Sequence, residues 1–470
     1  MSLCLYILLG ILISLFEWRR SSRGEPLNAM TAFNASYFVL FVLVPINVMC
    51  FGEDVVRQKY AYETYGAGGT STALSVFFSY VLFSLGYWWK SPIGKKIVLD
   101  RGAFSLRGSA HIAKIIFLVG VLLMAIYVVQ IGGILEAISK ASEVRSGEFL
   151  LEGKYVFYRH FMQFSADAFV LLVAVIIGKR FRKITVTWAD KMFVLCAFLF
   201  FVFYALTTGG RREFINPILL CYLVYSSLGG RVKKVAVVAF ALIFLVAGLG
   251  TIVGPIVLSG NLATVFDRTD INYADWRALS ELTYDNATQG LADSYIHYVG
   301  AQKASLWQFG FLTDIVNLPR DLFPSRLLGF QRTLHMYGDT TEYFTGQALE
   351  DVTTGAEPLG LHGYLLVNFG YIGMFAIFFL LGLFYKWIHF RFKPADPKDA
   401  VGWLVYWWVV LGFFVYFREG ALILVLKSQL TWWVIIALLV HSRANRPASL
   451  RSMPARENIV NIDANQAQQT

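Results

Sequence analysis

The chain has 470 residues, 57% of them hydrophobic and 15% charged, with a net charge of +10 and a mean hydropathy of +0.56. Soluble domains carry about 25% charged residues, so this composition excludes one. Only helices or closed barrels satisfy the backbone in lipid, and the short alternating strands of a barrel are missing, so the expected fold is all-α, a polytopic integral membrane helix bundle.

The first apolar run, SLCLYILLGILISLF, has no basic residue ahead of it; Arg19, Arg20 and Arg23 follow it. A cleaved signal peptide has the opposite polarity, so the run reads as a retained first span. Runs long enough to cross a bilayer then recur, predicting eleven spans at 1–17, 31–51, 72–90, 113–134, 157–178, 190–208, 214–229, 235–258, 362–385, 401–416 and 421–441. The domain plan is therefore eight spans over 1–258, a large loop over 259–361, three spans over 362–441, and a disordered tail over 442–470. Cys4, Cys50, Cys196 and Cys221 fall within or beside apolar runs without CxxC spacing and read as packing residues.

Orientation follows from lysine and arginine in short loops. Segments 18–30, 90–114, 179–191, 230–234, 386–400 and the tail after 441 hold 25 of the 41 basic residues. These are expected inside, which places the amino terminus outside and the carboxyl terminus inside. The +10 is thus cytoplasmic flanking charge beside acidic headgroups, not a nucleic-acid footprint. The large loop falls outside, with 13 acidic residues against 6 basic.

Two short turns on that outer face go against the charge bias. TTGGRREF, 207–214, carries Arg211 and Arg212, and FREG, 417–420, carries Arg418 and Glu419. Headgroup anchoring is the plain reading of either turn alone. Taken with arginines in the outer loop, they point to an anion-handling site, because clustered guanidinium forks suit phosphate oxygens and keep their charge. In the loop, Arg320 and Arg326 lie in LPRDLFPSR with Asp321 beside the first, and Pro319 and Pro324 break any long helix. Arg159, in YRHF near the outer end of the fifth span, joins the set. The chain re-enters lipid through TTGAEPLGLHGYLLVNFGYIG, where Gly355, Gly360, Gly363, Gly370 and Gly373 permit close backbone approach and His362 and Asn368 are polar. There is no Walker A motif, HExxH, DxD or His/Cys cluster, so metal-free charge neutralisation by arginine is expected, with no cofactor.

The Gly-Gly-Arg turn at Gly209, Gly210 and Arg211, the PRxLFPxR segment from Pro319 to Arg326, Tyr343 and Phe344, the re-entry from Thr353 to Gly373, and FREG together resemble the Wzy-type oligosaccharide repeat-unit polymerases, the family of O-antigen and enterobacterial common antigen polymerases. The resemblance covers roughly residues 204–441. The sequence departs from the family pattern at Leu327, where members often have proline, and in the additional charge of Arg212. The resemblance implies a GT-C-like inverting glycosyltransferase of the bacterial inner membrane, acting in polysaccharide and lipopolysaccharide biosynthesis, with the large loop in the periplasm. Donor and acceptor would be undecaprenyl-pyrophosphate-linked glycans, with membrane lipid around them and a chain-length regulator as a further partner. Arg211, Arg212, Arg320, Arg326, Arg418 and Arg159 are then the candidates for the departing pyrophosphate. Asp321, His362 and Glu419 are the candidates for catalytic proton transfer, with Glu342 and His335 also eligible.

Three alternatives stay open at this point: an O-antigen ligase, which differs only in acceptor; a transporter or flippase of lipid-linked sugars, against which the lack of paired repeats counts; and a scaffold subunit of an envelope complex.

Overall fold

The computed structural model describes residues 1–22, 27–43, 45–46, 49, 70–90, 104–141, 153–208, 211–230, 360–420, 426 and 429–444. Among them there is no strand. The elements are α1 (Ser2–Ser22), α2 (Ala29–Phe38, continuing into a π turn, Val39–Leu43), α3 (Thr70–Trp88), α4 (Leu106–Ile131), α5 (Ile134–Ser139), α6 (Gly153–Phe161), α7 (Phe164–Phe181), α8 (Trp188–Thr208), α9 (Arg211–Ser227), α10 (Gly360–Phe392), α11 (Ala400–Glu419) and α12 (Leu430–Ala444).

Seven helical stretches are long and apolar enough to cross a membrane: Ser2–Arg20, Thr70–Trp88, Leu106–Ile131, Phe157–Phe181, Trp188–Thr208, Asn368–Phe392 and Ala400–Phe417. The expected spans 31–51 and 421–441 coincide with shorter apolar helices, Ala29–Leu43 and Leu430–Ser442. The expected span 214–229 falls on α9, only 17 residues long and interrupted by Pro217. The expected span 235–258, the loop up to residue 359 and the tail beyond 444 lie outside the described residues. Seven full-length apolar helices, not eleven, are therefore found among the described residues.

Large apolar side chains face outward, among them Ile372 (87% exposed) and Val129 (77%). Cys4 and Cys196 are also exposed rather than packed inside. With hydrocarbon outside, helices gain nothing from hiding apolar surface; backbone proximity and interhelical hydrogen bonds hold them together. α3 lies along α10 at a reciprocal glycine crossing. A Cβ on Gly86 would meet the Phe379 carbonyl, and one on Gly382 would meet the Phe83 carbonyl and, at 2.9 Å, the Tyr87 nitrogen. α4 meets α7 in the same way, with Gly120 against the backbone of Phe164 and Ser165. α4 begins seven residues before the expected 113, because Ser105 caps it by accepting from the Gly108 N–H at 3.2 Å. Further along α4, the Lys114 Nζ lies 4.5 Å from the Phe193 ring centroid.

The interior between α2, α3, α10 and α11 is aromatic: Phe33 stacks on Phe83 at 3.7 Å and lies 5.3 Å from Phe417. Polar links cross it. Glu17 accepts from Arg20 at 2.6 Å and from Asn34 Nδ2 at 2.6 Å, and the Tyr80 hydroxyl donates to Asn34 Oδ1 at 3.0 Å, joining α1, α2 and α3. Arg20, expected as a flanking headgroup charge, is only 8% exposed and belongs to this network. At the same end of the bundle Lys179 pairs with Asp190 and Arg182 with Asp396.

Candidate functional site

The opposite end carries both arginine turns. α9 starts at Arg211 and packs against α11, which ends at Glu419. Arg159 on α6 donates from Nη2 to the carbonyl of Thr208 at 3.5 Å, three residues before Arg211. The FREG turn closes on Gly420, whose φ of 79° is open to glycine and whose N–H donates to the Tyr416 carbonyl at 2.8 Å. Its α-carbon rests against the Gly360 carbonyl, so the end of α11 meets the start of α10. The helix ends that bear Arg211, Arg212, Arg418 and Glu419 thus lie at one end of the bundle, where Arg159 reaches the end of α8. The side chains of the first four lie outside the described residues, as do Arg320, Asp321, Arg326, His335 and Glu342 altogether.

His362 is 4% exposed, in the first turn of α10. Phe41 and Phe378 flank its ring, each at 4.5 Å between centroids. Its Nε2 is 2.9 Å from the Tyr37 hydroxyl, which donates its one proton to the Val76 carbonyl at 2.8 Å. Tyr37 therefore accepts from His362, which places the ring proton on Nε2 and leaves Nδ1 a lone pair. That lone pair has no hydrogen-bond partner among the described residues. The candidate base is thus oriented by a tyrosine inside an aromatic enclosure. Asn368 spends its amide on the Tyr364 carbonyl at 2.7 Å, which makes it a helix-packing residue.

Of the five re-entry glycines, Gly355 lies outside the described residues. Gly370 serves a purpose other than the close approach expected of it. Its φ of 63° with ψ of −178° breaks α10 in two, and nothing lies within 4 Å of the position a Cβ would take.

Beneath the two arginine turns is a cavity of ≈ 70 Å³ between α7, α8, α9, α11 and α12. Its polar lining is Gln163, Asp167, Tyr204, Glu213, Asn216 and Gln429. Glu213 stands in the first turn of α9 beside Arg212, and Val415, also in the lining, is one turn before Glu419 on α11. The cavity therefore opens between the helix ends that carry the arginines. One wall is indole: Trp408 stacks on Trp432 at 5.6 Å and 28°. Pro217, in the lining, has no N–H to offer the Glu213 carbonyl, so α9 begins with one helical bond missing at this wall.

Asp167 is 3% exposed, and Thr431, Gln163 and Trp432 surround it. Its Oδ2 still has no hydrogen-bond partner among the described residues. Reading the sequence for motifs passed over this residue and its amide neighbours. The available signal was an aspartate inside the apolar run FSADAFVLLVAV, since an acid within a span is a functional candidate on energetic grounds alone. The other lining residues are single polar positions on separate helices, without a shared spacing to mark them.

No family model, curated protein or solved structure matches this chain.

Proposed function

We propose that this protein is a membrane glycosyltransferase that polymerises lipid-linked oligosaccharide repeat units outside the cytoplasm, with its amino terminus outside and its carboxyl tail inside. The observation that carries the reading is that α9, which starts at Arg211, packs against α11, which ends at Glu419, with Arg159 donating to the Thr208 carbonyl at the same end of the bundle. The acceptor sugar hydroxyl attacks the anomeric carbon of the glycan on undecaprenyl pyrophosphate. The new glycosidic bond forms as the carbon–oxygen bond to pyrophosphate breaks, and the electron pair leaves with the diphosphate. Arg211 and Arg418 stabilise that growing negative charge, with Arg159, Arg212, Arg320 and Arg326 as further donors. The hydroxyl proton passes to a base, for which His362, Asp321 and Glu419 remain the candidates.

The test uses purified protein and lipid-linked repeat units alone. Wild type yields a ladder of products; Arg211→Ala and Arg418→Ala each lower its rate by on the order of 10²–10³-fold while the protein is inserted normally. A product formed only when lipid A core is supplied marks a ligase instead. Repeat units accumulating inside the cell in the arginine variants mark a transporter. Reporter fusions to the loop at 259–361 and to the tail read the orientation directly: active outside at the first position and inside at the second.

A further inference from the structure

The cavity around Asp167 is too small for the substrates of the reading above. A dry cavity that takes benzene measures about 150 Å³, and a sugar ring with its hydroxyls is larger still. The ≈ 70 Å³ found here is less than half of that and has room for a few water molecules. Its contents are therefore on the scale of water or a small ion.

The chemistry of the lining is one-sided. Asp167 Oδ2, Gln429 Oε1 and Thr431 Oγ1 are buried oxygens without a hydrogen-bond partner among the described residues. Asp167 on α7 and Gln429, just before α12, line the cavity; Thr431 lies beside Asp167 outside the lining. Glu213 on α9 adds a second carboxylate to the lining, Asn216 and Gln163 add amides, and no lysine, arginine or histidine is among the described lining residues. A water molecule can satisfy the hydrogen bonds of three such oxygens, but it brings no charge. A carboxylate taken out of water without a basic partner is neutralised by whatever cation can reach it. Carboxylate and amide oxygens without a described basic neighbour suit a hard monovalent ion or a proton.

We propose that this cavity is a cation site, in which Asp167 binds one monovalent cation, a proton or a sodium ion, with Gln429 as an oxygen donor and Glu213 at its edge. The site stands apart from the polymerase reading and does not depend on it. Uptake neutralises Asp167 beneath the arginine-bearing helix ends and ties the packing of α7, α9, α11 and α12 to the ions present.

The test is made on the full chain in detergent, without substrate. Thermal unfolding is followed while sodium chloride replaces choline chloride at constant ionic strength and pH, and the infrared carbonyl stretch of protonated carboxylic acids is recorded in parallel. If the cation is sodium, the wild-type Tm rises by a few degrees and saturates; Asp167→Asn abolishes the rise and Asp167→Glu keeps it. If it is a proton, Tm ignores sodium and the wild type shows a carboxylic acid band that Asp167→Asn removes. Glu213→Gln leaves either signal in place. Should Asp167→Asn fail to assemble, Gln429→Leu weakens the sodium response or shifts the acid band. Neither signal in wild type, or a signal that survives Asp167→Asn or is lost only in Glu213→Gln, overturns the proposal.

Discussion

Asp399 holds two backbone N–H groups from distant parts of the chain. Its Oδ1 accepts from Gly402 at 2.9 Å, capping α11, and its Oδ2 accepts from Phe104 at 3.1 Å, just before α4. Asp399→Ala removes both acceptors and lowers stability by about 1–2 kcal/mol, measured by thermal unfolding in detergent. The residue also titrates with folding. Burial pushes its carboxyl above the usual range, outweighing the two N–H donors that pull it down. The folded protein holds this proton more tightly than the unfolded chain does. Its contribution to stability is therefore full below the ordinary carboxylate range and is lost as pH rises through the folded value. Asp399→Asn does not titrate, so the Tm of wild type relative to this variant falls across that window. A difference that stays flat, or widens with pH, contradicts the assignment.

Two glycines on one helix show how the same residue type serves different ends. Gly382 lies where α10 touches α3, and its Cβ position is occupied by α3 backbone. Gly382→Ala must push the helices apart, at about 1–3 kcal/mol. Gly86→Ala strikes the same crossing from the other side, so the double variant costs less than the two single costs added. Gly370 has open space around it and a backbone conformation that is essentially glycine's alone. Gly370→Ala costs about 1–3 kcal/mol through strain, and because its cause is local it adds to Gly382→Ala without coupling. Unfolding of the two pairs of double variants separates a shared contact from an independent kink.

Across the whole molecule, the two ends of the bundle are built on different electrostatics. At the basic end, charges find partners. Glu17 is bound by Arg20 and by Asn34, which is 1% exposed. Removing its carboxylate in Glu17→Ala strands both partners where α1, α2 and α3 meet, at about 1–3 kcal/mol. The Arg182–Asp396 pair has side chains 27% and 40% exposed, and Asp396→Ala changes stability by less than about 1 kcal/mol. A reversed ranking of these two variants in thermal unfolding contradicts this account. At the other end the carboxylates of Asp167 and Glu213 face a cavity whose described lining holds no basic side chain. That contrast supports the proposals made for this end of the bundle, because native folds neutralise buried charge wherever it has only a structural role.

Much of this architecture was legible in the linear chain. Composition and recurring apolar runs determined a helical membrane protein, since a backbone surrounded by hydrocarbon must close its hydrogen bonds within each helix. The same pattern located α3, α8 and α11 to within a few residues. It placed the start of α4 too late, because Arg107 looks like a loop residue until the Ser105 cap carries it onto the helix. It singled out TTGGRREF and FREG, because two basic turns broke the charge bias of the rest. Tertiary structure alone decided that Arg20 is buried, that His362 carries its proton on Nε2, and that Asp167, Glu213 and Gln429 share a cavity. Each of these follows from which faces of separate helices meet, and helix pairing in lipid is set by close-fitting backbones and hydrogen bonds that hydropathy does not record.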